Sequence, residues 1–227
     1  MWVLLGTFKI FLKGALNVRY EQEVKDILIS NTITLIAQGG FEKATTKAIT
    51  HGGNNPNNIK MNEVYIYRLF GSKEHLYSVA FASLDREIFQ ALQTSVHFDG
   101  KEQNIKDALY EVFLKAWRFV LHNEDHCMCY MRYYYSVYFR DASLRDHNKL
   151  FEVIIQEFAP LFKDGADVKS IMHSVFTAIL DFAVRVYNGD LEDTETNATH
   201  IFNVIYCMMM SYLKPPAVKQ GIATQLI

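Results

Sequence analysis

Apolar and polar residues recur with the period of a helix along almost the whole chain. No segment alternates strictly, with β-branched enrichment, over the length of a strand. The interruptions are of the kind that end helices: Gly39-Gly40, Gly52–Asn58, Phe70-Gly71, Phe98-Asp99-Gly100, Asn123–Asp125, Arg140-Asp141, Lys163-Asp164-Gly165 and Asn188-Gly189-Asp190. Between them the pattern predicts helices over about 19–39, 46–51, 62–70, 72–96, 103–122, 124–140, 142–163, 167–188 and 195–213. Thr45, Asn62 and Ser72 stand where N-caps belong, because an oxygen on a short side chain satisfies a free amide of the first turn. The expected fold is all-α, with three short N-terminal helices followed by roughly six longer ones.

The first eighteen residues have a pattern of their own. At 100° per residue Leu4, Leu5, Phe8, Phe11, Leu12, Ala15 and Leu16 fall on one side, with Lys9, Lys13 and Asn17 opposite. The stretch lacks a basic start and a small-residue cleavage site, so residues 1–18 are expected to be an amphipathic extension rather than a signal peptide.

Two features mark the C-terminal two thirds. Ile171, Met172, Val175, Phe176, Ile179, Leu180, Ala183, Val186 and Tyr187 recur at three- and four-residue steps. Paired with Ile201–Leu213, they make a helical hairpin with more apolar surface than a single body face requires. The middle helices are dense in aromatics, among them Trp117, Phe119, Tyr130, Tyr133, Tyr134, Tyr135, Tyr138 and Phe139. Such residues supply apolar walls with polar tips, which suits a small-molecule pocket. Trp117, Tyr130, Tyr134 and Phe176 are the candidate ligand contacts. An ordinary core with surface tyrosines is the alternative, because residues 133–135 step by 100° and cannot all face one cavity.

Composition narrows the function classes. Half of the 227 residues are apolar and 21% are charged, enough to bury a core and too apolar for disorder. Net charge is -2, unevenly spread: residues 1–75 carry nine Lys/Arg against six Asp/Glu. A mildly basic N-terminal third on an acidic body hints at a polyanion partner at one end. The C-terminal half holds no apolar run near the ~20 residues of a membrane span, so no membrane partner is expected. Three cysteines imply no disulfide framework and a reducing cytoplasm. His122, His126, Cys127 and Cys129 resemble a metal cluster only in one dimension. On a helix the two cysteines project about 200° apart and cannot chelate one ion. No phosphate-cradling glycine motif and no nucleophile beside paired carboxylates stands out, so neither an enzyme nor a cofactor is expected.

Two short helices joined by a turn, beside a few basic residues, are the outline of a helix-turn-helix. Two pieces, LISNTITLIAQGGFEKATTKAI (28–49) and NEVYIYRLFGSKEHL (62–76), resemble the DNA-binding domain of the TetR/AcrR family of bacterial transcription regulators. The matching positions are Gly40, Phe41 and the capping Thr45, then Ile66-Tyr67-Arg68 and Phe70-Gly71-Ser72-Lys73-Glu74. The resemblance implies a helix-turn-helix domain over 19–75 and an effector-binding and dimerisation domain over 76–227. It implies a repressor that binds operator DNA as a homodimer and is released by a small-molecule effector. In the reading helix, Asn62, Glu63 and Tyr65 would lie at base edges. Tyr67 looks like the family's phosphate-contacting tyrosine, Lys73 sits in the first turn of the next helix, and Thr45, Thr46 and Lys47 are placed as backbone clamps. The alternatives are that Tyr67 is simply a core aromatic and that Glu63 is only a first-turn anion for the helix dipole. The last two long helices would form the dimer interface, with Ile171, Val175, Ile179, Val186, Ile205 and Met209 across it; the internal core of a monomer is the alternative reading of the same stripe.

One departure from the family pattern stands out. Twelve residues, 50–61, rich in Gly and Asn, separate the two short helices where the family has a short turn. The expected arrangement is an outward loop that leaves the helices docked, since closure entropy grows slowly with length. Contact with phosphates, or loss of the motif, are the other outcomes. In the last case the chain would be an all-helical ligand-binding or adaptor protein that no longer reads DNA.

Overall fold

The structure, a computed structural model, describes the backbone of residues 2–93, 98 and 104–215, with side chains for 18–92, 98 and 104–215. Among the described residues every regular element is helical: α1 (Trp2–Lys43), α2 (Thr46–His51), α3 (Val64–Phe70), α4 (Lys73–Gln93), α5 (Ile105–His122), α6 (Glu124–Tyr134), α7 (Ala142–Phe158), α8 (Val168–Tyr187) and α9 (Glu195–Met209). A 3₁₀ turn, Ala159–Leu161, follows α7, and one antiparallel bridge joins Phe162 to Leu213.

The breaks fall where turn chemistry demands them. Gly40 interrupts α1 with φ 72°, a left-handed conformation that costs glycine little. Helix α1 begins at Trp2 rather than near Arg19, so the extension and the first helix of the motif are one element. Which residues of 1–17 form an apolar face lies outside the described side chains. The Thr45 hydroxyl accepts from the Ala48 amide at 3.1 Å and starts α2, as the cap pattern predicts. Ser72 does the same for His75 at 3.0 Å. Asn104, Asp167 and Thr194 cap α5, α8 and α9 in the same way. Helix α6 stops at Tyr134, short of 140. The chain there turns through hydrogen bonds such as Ser136 Oγ to the Tyr133 carbonyl at 2.7 Å. Serine competes well for backbone groups and favours such turns.

The chain divides into two compact units: residues 1–84 with 125–143, and residues 85–124 with 144–227. The first unit extends to Leu84, since Phe81 of α4 packs with α6. The Phe81 ring stacks on Tyr133 at 4.5 Å and on Tyr130 at 5.1 Å, and Phe41 meets Tyr138 at 4.7 Å and Tyr77 at 5.2 Å. The buried Tyr77 hydroxyl donates to the Ala44 carbonyl at 2.7 Å, so its polar tip is satisfied as burial requires.

In the second unit α5, α8 and α9 pack on one another. Helix α8 is long and apolar enough by composition to cross a membrane. It is two-faced, however: Met172, Val175, Ile179, Leu180 and Ala183 are buried, while Ser174, Asp181 and Arg185 are exposed. That is a core helix lying under solvent. Inside the unit Asp85 and His147 pair at 3.0 Å, both buried. Such a pair persists only because each charge or dipole has the other as partner.

Candidate nucleic-acid interface and ligand cavity

In the first unit the two short helices are held from three directions. Ile49, Ile66 and Phe70 are buried, and Leu69 is half-buried. The Thr46 hydroxyl donates to the Glu63 carboxylate, which ties the start of α2 to the start of α3. The buried Asn31 of α1 donates to the Ile49 carbonyl at 2.9 Å, at the end of α2. Together these bonds orient α3 against α1 and α2.

The inserted segment does not stand free. The Asn54 amide donates to Asn31 Oδ1 at 3.2 Å, the Asn54 side chain bonds Ser30, and the Asn57 side chain bonds Glu23. Asn55 receives the Ile59 amide at 2.9 Å and donates to the Ile59 carbonyl at 2.8 Å, in place of a strand partner. The loop is thus laid back on α1, not looped outward. The reason is that asparagine carries a donor and an acceptor on one short side chain and α1 presents Glu23, Ser30 and Asn31 to them. Gly52 is required at that approach, since a Cβ there would lie 2.7 Å from Asn31 Cγ.

Helix α3 begins one residue later than its cap pattern suggests. Asn62 Oδ1 accepts from the Val64 amide at 3.1 Å, and Glu63 already has helical backbone angles. Val64 is 65% exposed and Tyr67 54%, and Arg68 is exposed too. At i, i+3 and i+4 they share one face of the helix. Tyr67 is therefore no core aromatic. Tyr65, expected at base edges, is half-buried and carries the Arg68 guanidinium 4.6 Å from its ring centroid. It also hydrogen-bonds Tyr20, and that bond is the main reason the Tyr20 phenol is held above its ordinary range. Glu63 is exposed but bound to Thr46. Lys47 and Thr45 are exposed, Thr46 is half-buried, and Lys73 is half-buried with its ammonium 5.6 Å from the Tyr77 ring centroid.

The second unit holds an apolar cavity. Ile88 and Leu92 of α4, Leu109, Val112, Phe113, Ala116, Phe119 and Val120 of α5, and Phe151, Ile154 and Phe158 of α7 form part of its wall. Met172, Val175, Phe176 and Ile179 of α8 with Phe202, Ile205 and Met209 of α9 are its other described lining residues. The space among them is about 820 Å³, counting the part open to solvent. Of the four expected ligand contacts, only Phe176 lines this cavity. Trp117 is buried one layer behind, stacked on Phe113 at 5.9 Å, and its indole N–H has no partner among the described residues. Tyr130 and Tyr134 belong to the aromatic cluster of the other unit, 5.9 Å from one another. Within that unit α6 stacks its tyrosines on Phe81 of α4. Phe113, Phe151 and Phe202 were missed, although the apolar spacing of α5 alone marks Phe113.

The residues expected at an interface on the last two helices differ in burial. Val175, Ile179, Ile205 and Met209 are buried in their own chain and line the cavity. Ile171 and Val186 are half-buried. The apolar side chains that α9 leaves outward are Val204 and Met208, 51% and 39% exposed. Nothing metal-binding forms among the described residues. Cys127 and Cys129 are buried thiols, and burial pushes Cys129 up to about 12, far from a reactive thiolate.

No protein-family model matches the sequence, and no curated protein matches it. Solved structures do. A TetR family transcription regulator from Marinobacter aquaeolei VT8 has a TM-score of 0.66 over 87% of this chain and 99% of its own, at 13% identity. A TetR family protein from Vibrio parahaemolyticus has a TM-score of 0.61 over 84% of this chain and 99% of its own, at 18% identity. The multidrug binding protein EbrR, solved with imidazole, has a TM-score of 0.57 over 86% and 97%, at 14% identity. The all-helical fold with a helix-turn-helix near its N-terminus is thus the fold of TetR family transcription regulators.

Proposed function

We propose that this protein is a one-component transcription regulator that binds operator DNA as a homodimer and releases it when a small molecule enters the α4–α5–α7–α8–α9 cavity. The observation that carries the reading is the α2–α3 pair, joined by Thr46–Glu63 and fixed to α1 by Asn31–Ile49, with the exposed face Val64, Tyr67 and Arg68 turned to solvent. Release of DNA by effector makes it a repressor acting in the cytoplasm. Release is a population shift between two dimer shapes, one of which binds the effector better. No catalytic step is part of the reading.

On this reading Thr45, Lys47, Tyr67 and Lys73 contact phosphates, which fixes register without reading sequence. Val64 and Arg68 reach base edges, with Asn62 at the helix start. Glu63 and Tyr65 act from inside, Glu63 by fixing α3 to α2 and Tyr65 by supporting Arg68. Two such heads on a two-fold dimer can meet successive major grooves ~34–36 Å apart.

The test is binding of the purified chain to the DNA flanking its own gene, across a salt series. Saturable binding that weakens steeply with salt and competes poorly with unrelated DNA supports the proposal. Absence of any sequence preference in a selection from random DNA, with a ligand still bound by the cavity, would instead favour a ligand-binding protein that does not read DNA.

A further inference from the structure

Among the described residues eighteen side chains line the cavity of the second unit, and every one of these is Ile, Leu, Val, Ala, Phe or Met. Among these described side chains none is charged, and none donates a conventional hydrogen bond. A charged group inside such a wall gives up its hydration and receives nothing in exchange. Most ligand pockets keep a few polar groups to fix their ligand, so the composition here narrows the ligand chemistry unusually far.

Three ionisable groups around Phe151 do not change this. Asp85 and His147 are buried, but they are bonded to each other at 3.0 and 3.2 Å, and the His147 ring stacks on Phe151 at 5.7 Å. Phe151 is the residue that lines the cavity, so the pair stands behind it. On the other side His173 meets the edge of Phe151 at 6.2 Å. Burial, then repulsion from His147 and Lys169, holds the His173 imidazole below its ordinary value, so it does not supply a resident cation near neutral pH.

We infer that the effector of this protein is an uncharged, predominantly hydrocarbon molecule, held by six phenylalanines and aliphatic side chains, and that charged homologues of either sign are excluded. The inference rests on the reading of the cavity as the effector site. It goes beyond it by excluding carboxylates, phosphates and ammonium ions as the recognised group.

A matched pair of fluorescent probes tests it on the full chain. N-phenyl-1-naphthylamine is neutral, and 8-anilino-1-naphthalenesulfonate carries the same ring skeleton with one sulfonate added. The neutral probe is expected to bind once per chain and at least about tenfold tighter than the sulfonate, because only the sulfonate must shed its water against an apolar wall. Ala116→Phe, which fills part of the cavity, is expected to weaken the neutral probe by a similar factor while the chain stays helical. If that variant does not fold, displacement from the wild-type chain takes its place: methyl dodecanoate displaces the neutral probe, and dodecanoate at pH 8 does so at least about tenfold less well. A sulfonate probe that binds within the cavity as tightly as its neutral partner would overturn the uncharged ligand and leave the cavity as a ligand site. Failure of both probes, of the ester and of the acid to bind would overturn the inference together with the effector half of the proposed function.

Discussion

The carboxamide of Asn31, buried in α1, accepts the backbone N–H of Asn54 at 3.2 Å while it donates to the Ile49 carbonyl at 2.9 Å. One side chain thus holds the end of α2 and the inserted segment that follows. It turns a long Gly/Asn loop, otherwise costly only in closure entropy, into a fixed part of the helix-turn-helix.

Asn31→Ala should therefore destabilise the first unit by about 1–3 kcal/mol, since a buried carbonyl and an amide lose their partner together. Gly52→Ala should act through the same residue, because its Cβ would collide with the Asn31 carboxamide. Deleting residues 53–58 should carry a similar cost rather than be neutral. Urea unfolding curves check all three, and a loop deletion as stable as the parent chain would mean that the Asn54 contact carries no weight.

On the DNA side, Arg68→Ala should change the preferred operator, a base-edge contact being worth ~1–3 kcal/mol of discrimination. Lys73→Ala and Tyr67→Phe should weaken all sequences alike, and Lys73→Ala should flatten the salt slope by about one. Tyr65→Ala should resemble Arg68→Ala, because the guanidinium loses the ring beneath it. Selection from random DNA with each variant, followed by anisotropy titrations, separates these patterns.

The last two helices make opposite predictions for neighbouring residues. Ile179→Glu should unfold the second unit, because Ile179 is buried in its own chain and an unpaired carboxylate there costs several kcal/mol. Val204→Glu and Met208→Glu should leave the helix content intact and convert dimer to monomer. Sedimentation equilibrium alongside circular dichroism distinguishes the two. A folded monomer from Ile179→Glu would restore that residue to the interface.

Acid should weaken the second unit through His173. Its folded value lies below the ordinary 6.5, first through burial and then through His147 and Lys169. The unfolded chain then binds the proton more readily, so the stability of the neutral ring is present above pH 6.5 and is lost as pH falls through 6.5 toward the folded value. His173→Phe should flatten stability against pH in that window, measured as thermal midpoints between pH 7.5 and 5. An unchanged slope would place the acid sensitivity elsewhere.

Local chemistry was legible to within a residue or two. Thr45 and Ser72 cap where a hydroxyl before a helical run should cap, α2 spans Thr46–His51, and α8 and α9 begin after Asp167 and Thr194. These depend only on neighbours in the chain. Asn62 likewise caps α3, its Oδ1 accepting from the Val64 amide, while the bond from Glu63 to Thr46, seventeen residues away, could not be read from neighbours in the chain.

By itself the sequence determined that this protein is all-helical, where its helices break, and that its N-terminal third carries a helix-turn-helix outline. A helical period and a cap are local, and they say that a face is buried. They do not say against what. Val175, Ile179, Ile205 and Met209 read as a sticky stripe, and only the packing of α5, α8 and α9 turned them inward around a cavity. Tyr130 and Tyr134 read as pocket residues, and only the seating of Phe81 on α6 placed them in the other unit. The asparagines of 54–57 read as a free loop until Asn31, two dozen residues earlier, met them. In each case the deciding contact joins residues far apart in the chain, where burial and hydrogen-bond satisfaction are set by which surfaces meet and not by the pattern of either one.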